Sequence, residues 1–354
     1  MLINARKVLL LKTLKKIIIT VAVVLYSLII ITFPRDISQA IVKSINVCIN
    51  VIIPSMFIFM VISSYILSSN LYNMIFSPIY FLFKRIIKLD KQSFSIFLLS
   101  LIGGYPVGLK LIREEISQNK NYHEIAGKTA AFCYCISPSF AITMIGIELY
   151  KNAEFGFAVY ISNVISNFIL AVIYSHKYDL KITLTGQTKT GNIISSVNSS
   201  AATLFKICSI IIFFNSIIAS VECLLNCIGV SLSIEIKSLL EISNILEYQN
   251  ITPVALPFIA GLTSTGGFCV IFQSISIVNG SFPVKHFLIS RFLLFGINFF
   301  VTSILTSFWE ISVYTGTNSG IYIYEFNSNK SVLVLLLIMC MILMQKSEKN
   351  FKKG

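Results

Sequence analysis

Residues 94–108 read Phe-Ser-Ile-Phe-Leu-Leu-Ser-Leu-Ile-Gly-Gly-Tyr-Pro-Val-Gly, an apolar run that breaks at Gly103, Gly104, Pro106 and Gly108. Glycine and proline leave backbone N–H and C=O groups without helical partners, and hydrocarbon cannot satisfy them. Transporters place such breaks around a polar cavity near the middle of the membrane. Four breakers in six residues exceed what a kink requires, so we interpret them as the unwound tip of a hairpin. The alternative is a kink, or close helix packing by small residues.

The composition indicates a membrane protein. The chain has 354 residues, of which 55% are hydrophobic and 12% charged, and its mean hydropathy is +0.82. Soluble domains carry about 25% charged residues, so we predict a polytopic protein embedded in the lipid bilayer. The net charge of +13 is explained by basic cytoplasmic loops and predicts no nucleic-acid partner.

Two further apolar segments are interrupted. The segment 126–147 breaks at Ser137-Pro138-Ser139, and the segment 253–278 breaks at Thr263-Ser264-Thr265-Gly266-Gly267. Hydroxyl and N–H groups at these breaks could bind an anion. Equally, serine and threonine can satisfy backbone groups freed within a helix.

The hydropathy pattern predicts an all-α fold with about eight transmembrane helices and two re-entrant hairpins. Because most lysines and arginines then fall in cytoplasmic loops, both termini are expected in the cytoplasm. The two halves acquire opposite orientations, which is typical of an inverted-repeat transporter. The predicted spans are 17–33, 41–67, 126–147, 155–174, 201–222, 253–278, 287–308 and 331–344, and the predicted re-entrant elements are 94–112 and 232–248.

This pattern also divides the chain into five regions. A basic segment with the first span is followed by a first repeat, a cytoplasmic linker, a second repeat, and a last span with a basic tail. The boundaries of these regions are 1–38, 39–176, 177–200, 201–310 and 311–354.

Two charged residues in the second half are candidate ligands. Glu241, beside Ser243 and Asn244, is a candidate seat for a coupling cation or proton, with a solvated loop residue as the alternative. Arg291 falls inside a predicted span, where a charge is costly and often functional. A guanidinium would bind an anionic dicarboxylate in a bidentate manner, or it would extend to the membrane surface.

The remaining chemistry points away from catalysis. The eight cysteines sit mostly in apolar runs, where cysteine acts as a small packing residue, and neither they nor the histidines have metal-ligand spacing. No nucleotide-binding domain and no set of nucleophile, base and orienting group is present. We therefore predict no enzyme activity, no metal and no cofactor, and any transport must be passive or driven by a gradient.

Four motifs carry a family resemblance. They are GGYPVGLK at 103–110, FCYCISPSF at 132–140, LEIS at 240–243 and GLTSTGGF at 261–268. Together they resemble the YlbJ family of sporulation integral membrane proteins. Those proteins carry paired "Gate" (nucleoside-recognition) domains similar to concentrative nucleoside transporters. The resemblance implies a role in endospore formation, with dipicolinate moved out of the mother cell across the outer forespore membrane.

The leading hypothesis is therefore a secondary transporter of a small organic anion, dipicolinate by resemblance. The alternatives are a nucleoside transporter coupled to sodium or protons, and a non-transporting membrane scaffold of sporulation. The oligomeric state is left open. The predicted substrate-binding residues are Gly103, Gly104, Tyr105, Pro106, Ser137, Ser139, Glu241, Ser243, Asn244, Thr263, Ser264, Thr265, Gly266 and Arg291.

Overall fold

The computed structural model describes residues 2–181, 191–248 and 251–308. In these ranges the regular structure is helical, apart from one isolated β-bridge between Leu89 and Leu180. Six helices are long and apolar enough to cross a membrane. The prediction of an all-α, polytopic membrane protein is confirmed at this level. The six helices are Thr13–Thr32, Pro34–Ser68, Ala153–Lys177, Ile193–Cys227, Pro253–Val278 and Lys285–Phe308.

Six of the eight predicted spans fall within these helices. The predicted span 126–147 instead forms two short helices, His123–Thr129 and Pro138–Leu149, because residues 130–137 are not helical. The predicted span 331–344 lies outside the described residues.

Two helices of 35 residues each form the longest elements. Long helix A, Pro34–Ser68, begins seven residues before the predicted span and contains a π-helical turn at Cys48–Ile52. Proline at position 54 cannot donate to the carbonyl of Asn50, which accounts for the local widening. Long helix B is Ile193–Cys227. The predicted linker 177–200 is therefore too long by eight residues, because its serine-rich end is helical and partly buried.

Each half contains a short hairpin. Hairpin A consists of Lys91–Gly103 and Val107–Gln118, and its tip is formed by residues 104–106. Its first arm begins at Asp90, whose carboxylate accepts hydrogen bonds from two backbone N–H groups, both at 3.0 Å, as expected of an N-cap. Hairpin B consists of Ile234–Leu240 and the 3₁₀ helix Ile242–Glu247, with Glu241 at its tip.

Each half also contains a broken helix. Broken helix A is His123–Thr129 with Pro138–Leu149. Broken helix B is Leu256–Thr265 with Gly267–Val278, and its break is confined to Gly266 and Gly267, which have φ values of 74° and 71°. The residues 263–265, predicted as part of this break, are helical. Their hydroxyls supply the local bonds that keep the helix intact up to the glycine pair.

A closing helix ends each half, Ala153–Lys177 in half A and Lys285–Phe308 in half B. The order of long helix, hairpin, broken helix and closing helix thus occurs twice. Contacts between the halves show that the two long helices run in opposite directions. Long helix A ends beside the start of long helix B, where Gly191 lies against Ser69. The first part of long helix A and the end of long helix B both contact hairpin B, through Lys43 with Glu247 and Glu222 with Lys237.

The two ends of the molecule differ in charge. The end at which long helix A finishes and long helix B begins is called the basic end here, and the opposite end is called the distal end. Cationic side chains concentrate at the basic end, as the distribution of charge in the sequence predicts. Those at the basic end are Lys84, Arg85, Lys88, Lys91, Lys120, Lys128, Lys177, Lys181 and Lys285, and those at the distal end are Arg35, Lys43, Lys151 and Lys237.

Candidate substrate and ion site

A small cavity lies where both hairpin tips meet both broken helices. Its volume is about 30 Å³, and its polar lining comes from Tyr105, Ser137, Glu241, Ser243 and Gln273. Apolar side chains of the two long helices complete it. This volume admits a water molecule or a small ion, since about 10–15 Å³ holds one water. Small-molecule sites usually have about 300–1,000 Å³, so the cavity as it stands is too small for such a ligand.

Glu241 is buried at the tip of hairpin B. Its side chain is 2% exposed, and Oε1 accepts a hydrogen bond of 3.2 Å from the backbone N–H of Ser243. Among the described residues Oε2 has no hydrogen-bond partner, and the Cys269 thiol lies beside the carboxyl group. A buried carboxylate is costly unless it is paired. Glu241 is therefore not a solvated loop residue, and its position suits a proton or a cation.

Tyr105 brings a second unsatisfied polar group to the same cavity. Its hydroxyl is buried and makes no hydrogen bond within the described part of the chain. Its ring stacks on Tyr134 of broken helix A, with ring centroids 4.8 Å apart. Hairpin A thus faces the carboxyl group of hairpin B with a hydroxyl that can donate or accept.

The tip of hairpin A packs directly on broken helix A. Gly104 has φ of 77°, and a Cβ atom there would lie 2.6 Å from the Cβ of Ser137. A Cβ atom on Gly108 would lie 2.1 Å from the carbonyl oxygen of Cys133. The two interpretations made from the sequence therefore both describe this tip. The backbone is unwound at Gly104, and the small glycines allow close packing on broken helix A. Gly103 and Pro106 flank this turn and do not line the cavity.

Hairpin B packs in the same way on broken helix B. A Cβ atom on Gly267 would lie 2.9 Å from the carbonyl oxygen of Leu239. One on Gly266 would lie 2.2 Å from the hydroxyl oxygen of Tyr134, which donates a hydrogen bond of 3.1 Å to the carbonyl of Thr265. Each hairpin tip therefore contacts the break of its own half, and Tyr134 connects the two breaks.

Three helices begin beside the cavity, at Val107, Pro138 and Gly267. Ser137 caps the second of them and accepts a hydrogen bond of 3.2 Å from the N–H of Phe140. Helix N-termini carry partial positive charge and unsatisfied N–H groups. The backbone around the cavity therefore favours a negative group, which is either Glu241 itself or an anionic ligand.

Arg291 connects the two broken helices and does not line the cavity. It is 1% exposed and donates to the carbonyls of Ala131 at 2.6 Å and Ser264 at 3.4 Å. Its guanidinium lies over the Tyr134 ring, 4.0 Å from the centroid. The Ala131 carbonyl lies just after the first part of broken helix A, and the Ser264 carbonyl lies near the end of the first part of broken helix B. Carbonyls at the end of a helix have no N–H partner within that helix. Arg291 therefore does not extend to the membrane surface, and its contact with a ligand stays a prediction.

The hydroxyls of Thr263, Ser264 and Thr265 are also used internally. Each donates to the carbonyl three residues before it, at 2.8, 2.7 and 2.7 Å. These local bonds complete the last turn before the glycine pair, and the role of the three residues as ligand donors stays a prediction. None of these three residues, nor Gly266, lines the cavity.

Two other predicted residues also lie away from the cavity. Asn244 donates to the side chain of Asn215 at 3.1 Å and to the carbonyl of Glu241 at 3.2 Å, so it fastens hairpin B to long helix B. Ser139 is half-buried in the first turn of its helix. Sequence reasoning missed Gln273, and the available signal was a polar side chain within an apolar span.

The described residues contain no group of three or more His, Cys, Asp or Glu side chains that could hold a metal ion. The fold and the site thus define a membrane-embedded helical protein with a small polar cavity at its centre. Comparison with known proteins adds no assignment, since no family model, no curated protein and no solved structure matches the chain.

Proposed function

We propose that this protein is a secondary transporter of a small organic anion, in which Glu241 holds a coupling proton or cation. The observation that carries the proposal is the convergence of hairpins A and B on a small cavity, where one carboxylate oxygen of Glu241 has no hydrogen-bond partner among the described residues. Polar groups of this kind inside membrane proteins mark ion and substrate pathways. A scaffold protein has no need of such a cavity.

The proposal includes a membrane arrangement. The hairpins are re-entrant from opposite sides, the two halves form an inverted repeat, and eight spans cross the bilayer. The basic end then faces the cytoplasm. Substrate reaches the cavity alternately from the two sides when one repeat moves against the other.

Charge at the cavity supports coupled binding of an anion. Helix N-termini attract a negative group, while an ionised Glu241 repels it. A proton or cation on Glu241 removes that repulsion, so solute and coupling ion bind more favourably together than separately. Dipicolinate, an aromatic dicarboxylate, is the substrate that the family resemblance implies, and with it the outer forespore membrane as the location.

A nucleoside is the second candidate substrate. Arg291 is committed to backbone carbonyls, so no cationic side chain is among the residues that line the cavity. A neutral solute with an aromatic base would suit the ring of Tyr105 and the amide of Gln273, which both line the cavity.

Flux into proteoliposomes tests the proposal. Labelled dipicolinate and labelled uridine are compared under imposed proton and sodium gradients, with Glu241→Gln as the variant. Glu235→Gln is the matched control, because Glu235 belongs to the same hairpin but is exposed. We expect gradient-driven uptake of dipicolinate that Glu241→Gln abolishes and Glu235→Gln leaves intact. Uptake of uridine alone would select the second candidate, and no uptake of either would contradict transport of both solutes.

A further inference from the structure

Each hairpin is tied to the long helices by its own cluster of charges. At the distal end, Lys237 of hairpin B pairs with Glu222 of long helix B at 2.5 Å and with Glu247 at 3.1 Å. Lys43 of long helix A also pairs with Glu247, at 2.7 Å. These four residues are called the distal cluster. One ammonium group thus holds two carboxylates that would otherwise repel each other.

At the basic end, Lys110 and Glu114 of hairpin A form an ion pair of 2.9 Å. Ser200 of long helix B lies 3.2 Å from the ammonium group. The carboxylate accepts hydrogen bonds from Ser199 at 2.6 Å and from Ser64 of long helix A at 2.8 Å. These five residues are called the basic-end cluster. It contacts the same two long helices as the distal cluster, at their other ends.

A second cavity separates the distal cluster from Glu241. Its volume is about 80 Å³, and its lining includes all four residues of the distal cluster. It shares Val47 and Ser243 with the central cavity. The second cavity therefore adjoins the central one on the side of the distal cluster.

The distal cluster is held together by ion pairs that can be broken. Burial alone would raise the pKa of Glu247, but the ion pairs with Lys43 and Lys237 outweigh it and lower that pKa. The carboxylate is therefore charged and held by its partners. The Lys237 side chain is 11% exposed, but its partners Glu222 and Glu247 are 33% and 29% exposed, so water can reach these pairs and replace them. Ion pairs in contact with solvent are each worth about 0–1 kcal/mol.

We propose that the distal cluster closes the route by which solute and coupling ion reach Glu241, and that Lys237 is the residue that holds it shut. The inference rests on the proposed transport function. When Lys237 releases Glu222 and Glu247, the two carboxylates repel each other, and hairpin B moves away from long helix B. The basic-end cluster keeps the other side closed meanwhile.

Access to Cys269 measures this opening, because its thiol lies beside Glu241. The reporter protein retains Cys269 and has serine or alanine at the other seven cysteines. A membrane-impermeant maleimide is applied to oriented vesicles from the distal side and, separately, from the basic side. Relief of two ion pairs predicts that Lys237→Gln speeds labelling from the distal side by about fivefold or more. Labelling from the basic side should stay unchanged.

Matched variants keep the test decisive. Lys237→Arg should restore the slow labelling of the parent, and Lys43→Gln, which removes one exposed pair, should change it by less than about twofold. If Lys237→Gln does not insert into the membrane, the double change Glu222→Gln and Glu247→Gln removes the same ion pairs without the repulsion between carboxylates. It should speed labelling from the distal side only, by a smaller factor.

Unchanged labelling of a folded Lys237→Gln protein, or equal increases from both sides, would overturn the proposal. Labelling requires no substrate. If neither dipicolinate nor uridine is taken up, the labelling rates still test the closure. If the labelling rates contradict the closure, the uptake measurements still test the transport function.

Discussion

Hairpins A and B reach the central cavity from opposite ends, but their attachments to the long helices differ. In the basic-end cluster, the Lys110 side chain is 3% exposed, and three serine hydroxyls surround the ion pair. Its partner Glu114 is 24% exposed. In the distal cluster, Lys43 is 62% exposed, whereas Lys237 is 11%, Glu247 29% and Glu222 33% exposed. A buried pair is costly to break because each partner is left without compensation. The comparison indicates that hairpin A is held by the more buried pair and hairpin B by the more exposed ones.

The largest expected effect tests the more buried pair. Glu114→Ala leaves the buried ammonium group of Lys110 without its carboxylate, which should destabilise the protein by about 3–5 kcal/mol. The measurement is the thermal unfolding midpoint in detergent, compared with Glu247→Ala in the distal cluster. We expect a smaller shift for Glu247→Ala, since Lys43 is exposed and Lys237 keeps Glu222 as a partner. Equal shifts would remove the distinction between the two hairpins.

A second effect concerns the contact between the two halves. Arg291→Lys replaces a planar group that reaches two carbonyls with a single ammonium group, and we expect a loss of about 2–3 kcal/mol in unfolding free energy. Arg113→Lys is the control, because Arg113 also donates to a carbonyl, that of Ile277 at 2.8 Å, but is only half-buried. If both changes lower the unfolding free energy equally, the hydrogen bonds from Arg291 to the carbonyls at the two breaks add no special stability.

A third effect concerns the tip of hairpin A. Gly104 and Gly229 both have positive φ, 77° and 75°, but nothing lies within 4 Å of a Cβ atom on Gly229. Replacement by alanine should cost about 1–2 kcal/mol at Gly229 from backbone strain alone. At Gly104 the contact with Ser137 adds to this cost. Gly104→Ala should also reduce flux per inserted protein, whereas Gly229→Ala should not, and intact normalised flux in Gly104→Ala would make the tip purely structural.

The smallest effect concerns ionic strength. Raising salt from 0.1 to 1 M shortens the screening length from about 10 to 3 Å, which weakens exposed pairs more than buried ones. Labelling of Cys269 in the reporter protein should accelerate modestly, by about twofold, from the distal side only. Acceleration from the basic side would show that the Lys110 and Glu114 pair is as accessible to salt as the distal cluster.

Much of the fold could be predicted from the sequence because it depends on local patterns. Runs of apolar residues long enough to span a membrane identify six helices correctly, since helices satisfy their backbone within one segment. The breaks at Gly104 and at Ser137 also follow from local chemistry. The start of long helix B was misplaced because Ser195, Ser196, Ser199 and Ser200 appear polar in the sequence, whereas Ser196 and Ser200 are buried.

The sequence also identified some of the residues that line the candidate site, but not others. Tyr105, Ser137, Glu241 and Ser243 line the cavity, and the sequence identified them as polar residues at breaks or hairpin tips. Thr263, Ser264, Thr265 and Arg291 have the same local signature. Composition cannot distinguish a hydroxyl that faces a cavity from one that bonds to its own helix.

The amino-acid sequence by itself determined the helical, membrane-embedded class of this protein and the places where its helices break. These properties depend on hydropathy and on the backbone limits of glycine and proline, which act within a few residues. Only the tertiary structure decided what the charged side chains do. Arg291 contacts a carbonyl 160 residues away, and Lys43 contacts a carboxylate 204 residues away. Such partners are set by how the halves pack. Among the described residues, that packing leaves Glu241 Oε2 without a hydrogen-bond partner while it satisfies Arg291.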